Sequence, residues 1–199
     1  TALFICVVAL IASVFTGINF FHVIRALKDI LFLAFSTASS EAALPGAMKR
    51  LEELGVPKTI VTFVMPTGYS FNLDGSTLYS SAGILFIAQL YGIQMPIEQQ
   101  LLVMVTLMLS TKGIAGVPGA GIIVVAATAA AFNLPTEGVA ILLGIDRLLD
   151  MIRTICNVCG NCMATVVVAC WEKELNSSSL DSSVSCMSGS LFILLVFIV

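Results

Sequence analysis

Charged residues are scarce in this sequence. Only 11% of its 199 residues are Asp, Glu, Lys or Arg, whereas 58% are hydrophobic. Soluble domains contain about 25% charged residues on average, so the composition excludes an ordinary water-soluble domain and predicts an integral membrane protein. The net charge of −3 is too small to indicate binding to nucleic acid, and no nucleic-acid partner is expected.

Histidine is also scarce, and no G-x-S-x-G sequence occurs. His22 is the only histidine and lies far in sequence from Ser110, one of the serines that an intramembrane hydrolase could use as a nucleophile. A lone histidine at such a position is more often an interfacial residue than a ligand or a proton relay. We therefore predict that the chain is not an enzyme.

No basic segment precedes the first apolar run, so no signal peptide is predicted. Because Thr1 is not an initiator residue, the chain is expected to be a piece of a longer protein.

Cysteine is present but gives a weak signal. Cys156, Cys159 and Cys162 form a C-x-x-C-x-x-C run within a helical pattern. An iron–sulfur site needs a fourth ligand and usually a loop, so we interpret the run as helix packing and predict no firm metal site.

The abundant apolar residues form segments separated by Gly, Pro and polar residues, which predicts an all-α membrane protein. A polar stretch at 36–41 and a Gly-rich one at 110–121 resemble each other, since Ser-Thr opens both and Pro follows in each. The flanking arms are too short to span, so a re-entrant hairpin is favoured over an aqueous loop, which remains the alternative. We predict a transmembrane helix over 1–18, a first re-entrant hairpin over 19–56, a broken transmembrane helix over 57–92, a second re-entrant hairpin over 96–133, a long transmembrane helix over 136–174, and a tail of unknown role over 175–199.

The broken helix carries Asn72, Leu73, Asp74 and Gly75 in the middle of its span. Such residues favour an unwound segment whose free carbonyl groups could coordinate a cation. The Asp74 carboxylate would suit a hard cation or a proton.

A polar stripe in the long helix is the strongest functional signal. At 100° per residue, Asp150, Arg153, Asn157 and Asn161 fall within about 60° of Asp146. Charge at membrane depth costs several kcal/mol unless it is paired or hydrated, so the stripe predicts a buried pathway or binding site. A mutual salt bridge between Asp150 and Arg153 is the alternative, and a site could use both.

Basic residues cluster on one side of the predicted spans. Segments 25–28 and 49–58 and Lys173 hold most of them, whereas 91–98 and 133–137 on the opposite side contain only acidic charges. The basic side is therefore predicted to be cytoplasmic.

Four motifs together resemble a known family. STASSEAALP, PTGYSFNLDGSTLY, KGIAGVPGAG and GIDRLLDMIRTICNVCGN occur in order within residues 1–175. They are similar to the dicarboxylate/amino-acid:cation symporter family, and most similar to its bacterial proton/glutamate symporter branch. The resemblance implies an elevator-type transporter core with two re-entrant hairpins, a homotrimer, and a multi-pass location in the bacterial inner membrane.

The same resemblance implies a secondary active transporter that couples uptake of glutamate or aspartate to a cation gradient. The only cofactor would be a co-transported proton or sodium ion. A channel is the rival reading, because glycine-rich re-entrant tips also build pores. The carboxylate and guanidinium pair of Asp150 and Arg153 suits a zwitterionic substrate better than a permeating cation.

By resemblance, substrate binding is carried over to both hairpin tips and the long helix. Arg153 would bind the substrate's side-chain carboxylate with two parallel donors, and Asp150 would hold its amino group. A C4-dicarboxylate has no amino group, so Asp150 favours an acidic amino acid. The full predicted set is Ser39, Ser40, Val117, Gly119, Asp150, Arg153, Thr154 and Asn157.

Cation coupling is carried over to a second set of residues. Sodium-coupled relatives have aspartate at the position of Asn161, so its amide weakens one sodium site and favours protons. Glu41 at the first tip replaces a small polar residue, and a buried carboxyl group there could carry a proton. Sodium at Asn72 and Asp74 remains an alternative, as does a structural pairing of Glu41 with Lys112 or Arg147. The predicted set is Glu41, Gly68, Asn72, Asp74, Asn157 and Asn161.

Overall fold

The structure is a computed structural model that describes residues 2–16, 20–71, 73–112 and 118–175. Every regular element in these ranges is an α-helix. The predicted tail lies outside the described residues after Leu175. The helices are α1 (Ala2–Thr16), α2 (Phe20–Ala26), α3 (Lys28–Thr37), α4 (Ser40–Glu53), α5 (Lys58–Phe71), α6 (Asp74–Leu90), α7 (Ile97–Ser110), α8 (Ala120–Ala131) and α9 (Glu137–Trp171).

Two pairs of short helices lie where the hairpins are predicted. Helices α3 and α4 pack against each other across a turn at Ala38 and Ser39, and α7 packs against α8. Ala38 has a φ of 50°, and the Ser39 side chain accepts a hydrogen bond from the Ala42 amide at 3.3 Å, which caps α4. These four helices have 10 to 14 residues, or about 15–21 Å at 1.5 Å per residue. Each is therefore shorter than the hydrocarbon core of a bilayer, which is about 30 Å thick.

One helix expected to be continuous is divided. The apolar pattern over residues 19–35 predicts a single helix, but the structure separates α2 from α3 at Leu27. At this bend the Arg50 Nε of α4 donates to the Ala26 carbonyl at 3.1 Å. A later helix thus contributes a contact at the division, which no local sequence pattern reveals.

The proline and glycine within residues 66–68 also predict an interruption of the broken helix, but the structure shows none there. Helix α5 continues through Pro66 and Gly68 and ends at Phe71, and α6 begins at Asp74. Proline removes a single helical hydrogen bond, and the tight packing of this segment against α9 compensates. Pro66 and Gly68 therefore lie inside a continuous helix.

Helix α9 connects two separate apolar cores. One core contains buried side chains from α1 to α5 together with the C-terminal half of α9, including Val158 and Val166. The other contains side chains from α6 to α8 together with Val139 and Leu142 of α9. The polar stripe lies between the two cores, at the middle of the longest helix.

The burial pattern of α9 is opposite to that of a soluble helix. Ile145 and Leu148 are 51% and 64% exposed, whereas Asp146, Asp150 and Arg153 are at most 7% exposed. Exposed apolar and buried charged side chains are typical of a membrane helix that carries an internal polar site. Among the described helices, α9 alone is both long and apolar enough to cross a membrane.

Candidate functional site

The polar stripe of α9 is buried along its whole length. Asp146, Asp150, Arg153, Asn157 and Asn161 are all between 1% and 7% exposed. Their side chains contact α5, α6 and α8, so the stripe forms the meeting point of four helices.

Asp150 and Arg153 form a buried ion pair. The Arg153 Nη2 lies 2.7 Å from the Asp150 Oδ1. The other carboxylate oxygen accepts a hydrogen bond from the Gly119 amide at 2.8 Å, directly before α8. Both oxygens of Asp150 are thus engaged, one by a cation on its own helix and one by the backbone of the second predicted hairpin.

Arg153 is further held by an aromatic ring but keeps one donor unused. Its Cζ lies 5.1 Å from the centre of the Tyr79 ring, within cation–π range. The Tyr79 hydroxyl donates to the Asp146 Oδ1 at 2.7 Å, which fixes the ring. The Arg153 Nη1 is buried without a hydrogen-bond partner among the described residues. Since an unsatisfied buried donor costs about 1–3 kcal/mol, an acceptor placed at this atom would be stabilising.

Asn157 joins the long helix to the start of α6. Its Oδ1 accepts from the Gly75 amide at 2.8 Å, and its Nδ2 donates to the Ser76 Oγ at 3.2 Å. A Cβ at Gly75 would lie 2.5 Å from the Arg153 carbonyl oxygen. Glycine is needed here because the backbones of α6 and α9 approach too closely for a side chain.

Asp74 and Lys112 bring the helix break together with the end of α7. Asp74 is 7% exposed, and its carboxylate interacts electrostatically with the Lys112 ammonium. Nearby, the hydroxyl oxygens of Thr77 and Thr111 are 2.9 Å apart and buried.

Gly68 and Asn161 are also brought together. A Cβ at Gly68 would lie 2.3 Å from the Asn161 Oδ1, so the amide packs directly on the α5 backbone. Thr154 is 3% exposed, and its hydroxyl donates to the Asp150 carbonyl at 2.8 Å.

The first predicted tip is buried at Ser40 but not at Glu41. Ser40 is 2% exposed and belongs to the buried face of α4, together with Ala43 and Ala47. Glu41 is exposed, because it lies one residue, or about 100°, away from that face. The expectation of a buried Glu41 carboxyl group therefore does not hold within the described chain. No ion pair joins Glu41 to Lys112 or Arg147 among the described residues, and Lys112 interacts electrostatically with Asp74.

Two predicted site residues, Asn72 and Val117, lie outside the described residues. Two others were missed by sequence reasoning, Tyr79 and Gly121. The only sequence signal for Tyr79 is its place one helical turn after Ser76, on the same face of α6. Gly121 belongs to the glycine-rich stretch, but nothing in that stretch indicates which glycine meets another side chain.

Comparisons with known proteins give concordant matches. The sodium:dicarboxylate symporter family model matches residues 1–171. The proton/sodium-glutamate symport protein of Geobacillus stearothermophilus is 56% identical over 160 residues, covering 80% of this chain and 38% of that protein. The proton/glutamate-aspartate symporter of Escherichia coli is 50% identical over 173 residues, covering 87% and 40%. The C4-dicarboxylate transport protein of Rhizobium johnstonii is 43% identical over 190 residues, covering 95% and 43%. The chain thus spans about two fifths of the length of these curated relatives.

Proposed function

Because the chain belongs to the sodium:dicarboxylate symporter family, we propose that it forms the substrate-binding core of a cation-coupled symporter for acidic amino acids. The family resemblance predicted from the four motifs is confirmed by the match over residues 1–171. The family consists of membrane transporters and not of enzymes.

The observation that carries this proposal is the buried Asp150–Arg153 pair with its spare donor. An acidic amino acid carries an ammonium group and two carboxylates. The Arg153 Nη1, which has no partner among the described residues, would bind the side-chain carboxylate, since a guanidinium group offers parallel donors to two oxygens. The ammonium group would bind Asp150. The ligand would then replace an internal ion pair by two external ones, and its second carboxylate would remain as a net negative charge to be met by donors at the proposed hairpin tips.

The same geometry suggests how binding would move the second hairpin. The Gly119 amide donates to the Asp150 Oδ2, so a ligand ammonium group would compete with Gly119 for the carboxylate. Occupancy of the site would thereby change the contact that holds the start of α8 to α9. The backbone around Gly119 is therefore proposed as part of a gate.

Competition for uptake tests the substrate class. In the full chain, unlabelled glutamate and aspartate should each suppress uptake of radiolabelled glutamate at concentrations at least about tenfold below those of succinate. Asp150→Asn should abolish this difference, because it removes the charge that distinguishes an amino acid from a dicarboxylate. Equal potency of succinate in the unsubstituted chain would contradict the role of Asp150.

Transport of C4-dicarboxylates is the second candidate. It is favoured by one observation, that Arg153 and Gly119 already engage both oxygens of Asp150. A ligand without an amino group could leave those two contacts intact and bind only the free Nη1. The competition experiment above separates the two substrate classes directly.

Protons are proposed as the coupling ion, with Glu41 and Asp74 as candidate carriers. The Asn161 amide beside Gly68 supports this, because it places no charge where a sodium ion would need one. Sodium bound at Asn72 and Asp74 remains the alternative. In vesicles, Glu41→Gln should reduce glutamate uptake driven by a pH gradient by at least about tenfold and leave any sodium-driven uptake unchanged.

Glu52→Gln is the matched control for the coupling experiment, since Glu52 is exposed on the same helix. Uptake by this variant should equal that of the unsubstituted chain under both gradients. Unchanged proton-driven uptake in Glu41→Gln would remove Glu41 from the mechanism and leave Asp74 as the candidate.

The membrane location and the oligomeric state are part of the same proposal. The short helix pairs α3–α4 and α7–α8 support two re-entrant hairpins in an elevator-type core, and the exposed apolar face of α9 supports a lipid or protein partner within the bilayer. We place the protein in the bacterial inner membrane, as part of a multi-pass homotrimer.

A further inference from the structure

Gly121, the second residue of α8, lies directly against the functional end of Arg153. It is buried, and a Cβ placed there would lie 1.5 Å from the Arg153 Nη1 and 2.6 Å from its Cζ. No other atoms of the described structure approach this position as closely. Any side chain at residue 121 would therefore occupy the volume that the guanidinium group now fills.

The backbone does not itself require glycine at this position. Glycines with positive φ in the described chain are Gly55, Gly92 and Gly119, and Gly121 is not among them. Gly119, two residues earlier, shows the opposite case: its φ is 80°, and a Cβ added there would meet nothing within 4 Å. Gly119 thus suits its position by its backbone conformation, whereas Gly121 suits its position because Arg153 leaves no space for a side chain.

The guanidinium group of Arg153 cannot move aside without losing contacts. Its Nη2 is held by Asp150 at 2.7 Å, and its Cζ is stacked on the Tyr79 ring at 5.1 Å. That ring is fixed in turn by the hydrogen bond from Tyr79 to Asp146. A methyl group at residue 121 would push Arg153 away from this arrangement and change the direction in which Nη1 points.

We infer that Gly121 is a positioning residue that sets selectivity for acidic ligands, because its missing side chain reserves the space in which Arg153 presents Nη1. The ligand class rests on the proposed function, whereas the steric relation between Gly121 and Arg153 does not. The two parts are therefore tested by separate measurements.

The first measurement is transport kinetics of the full chain. Gly121→Ala should raise the KM for glutamate at least about tenfold while Vmax stays within about twofold, because ligand binding is altered and the rest of the cycle is intact. Gly144→Ala is the matched control, since Gly144 lies on α9 and a Cβ added there would meet nothing within 4 Å. Its KM should remain unchanged. An unchanged KM in Gly121→Ala would overturn the inference.

The second measurement is thermal unfolding of the purified full chain without substrate. Gly121→Ala should lower Tm by about 3 °C when Arg153 is present, as expected for overpacking. In an Arg153→Ala background the same substitution should change Tm by less than about 1 °C, since the clashing group is gone. An equal change in both backgrounds would overturn the inference. If the unsubstituted chain takes up no glutamate, the proposed function fails, and this cycle alone decides whether Gly121 positions Arg153.

Discussion

At the scale of single residues, the site is a chain of contacts in which one donor, the Arg153 Nη1, has no partner among the described residues. The Gly119 amide binds Asp150, Asp150 binds Arg153, and Arg153 stacks on Tyr79, which binds Asp146. Burying charges is costly, and such a pair stabilises a fold only when nearly all its hydrogen bonds are made. The Nη1 of Arg153, which has no hydrogen-bond partner among the described residues, is therefore the atom on which the proposed binding role rests.

Arg153→Lys tests whether the shape of the guanidinium group matters in addition to its charge. Lysine keeps the positive charge but has a single ammonium group, which cannot pair with Asp150 and present a second planar donor at once. We expect the KM for glutamate to rise at least about tenfold, equivalent to about 1.4 kcal/mol. Uptake into vesicles, normalised to the amount of protein in the membrane, measures the effect.

Arg147→Lys provides the control for this prediction. Arg147 lies on the same helix but is exposed in the described chain, so its replacement should leave the KM unchanged. A KM within about twofold of the original in Arg153→Lys would show that charge alone is sufficient.

At the scale of elements, small residues allow the helices around the site to approach closely. The buried face of α4 consists of Ser40, Ala43, Ala47 and Leu51, and α4 packs against both α3 and α9. Helix association inside membranes commonly depends on such small side chains. About 100° around α4 from Ala47, Gly46 faces α3, and a Cβ there would lie 2.8 Å from the Ile30 Cδ1.

Gly46→Val should destabilise the first helix pair. The added side chain would overlap Ile30, and overpacking of this kind costs about 1–3 kcal/mol. We expect a lower Tm of the purified chain in detergent, measured by fluorescence of its single tryptophan. Adding Ile30→Val, which removes the Cδ1 atom, should restore at least about half of the lost stability. The same loss in both backgrounds would show that the clash with Ile30 is not its cause.

Local sequence patterns predict some of the helix ends but not all of them. The stretches around Ser39, Asp74 and Gly119 are expected to interrupt helices, and helices do end and begin there, because Gly, Asn, Asp and Ser favour turns and caps. The bend at Leu27 and the continuation of α5 through Pro66 do not follow from the local pattern. Both depend on contacts with other helices, and intrinsic propensity is weak against such contacts.

At the scale of the whole molecule, α9 contributes to both apolar cores and presents an apolar surface outward. The outward side chains Ile141, Leu143, Ile145 and Leu148 are each more than half exposed in the described chain. Whether lipid or another helix covers them, their surroundings must be apolar, since exposing such a continuous surface to water would be strongly unfavourable.

Leu148→Lys tests this arrangement. A lysine within a membrane span costs about 2.5–3.5 kcal/mol on insertion scales, so the fraction of chain integrated into membranes should fall severalfold. Resistance to alkaline extraction measures that fraction. Glu172→Lys is the control: Glu172 is exposed just beyond the end of α9 and should leave integration unchanged. Full integration of Leu148→Lys would contradict an apolar environment on this face.

The sequence by itself determined the class of protein, the helical character of its segments and the polar stripe of α9. These are properties of composition and of the 100° step between residues, which need no knowledge of distant partners. Tertiary structure decided which atoms meet: that Tyr79 holds Arg153, that Gly121 leaves room for it, and that Glu41 points outward while Ser40 points inward. Tyr79 and Gly121 come from other helices, distant from Arg153 along the chain, and only the packing of α6, α8 and α9 brings the three together.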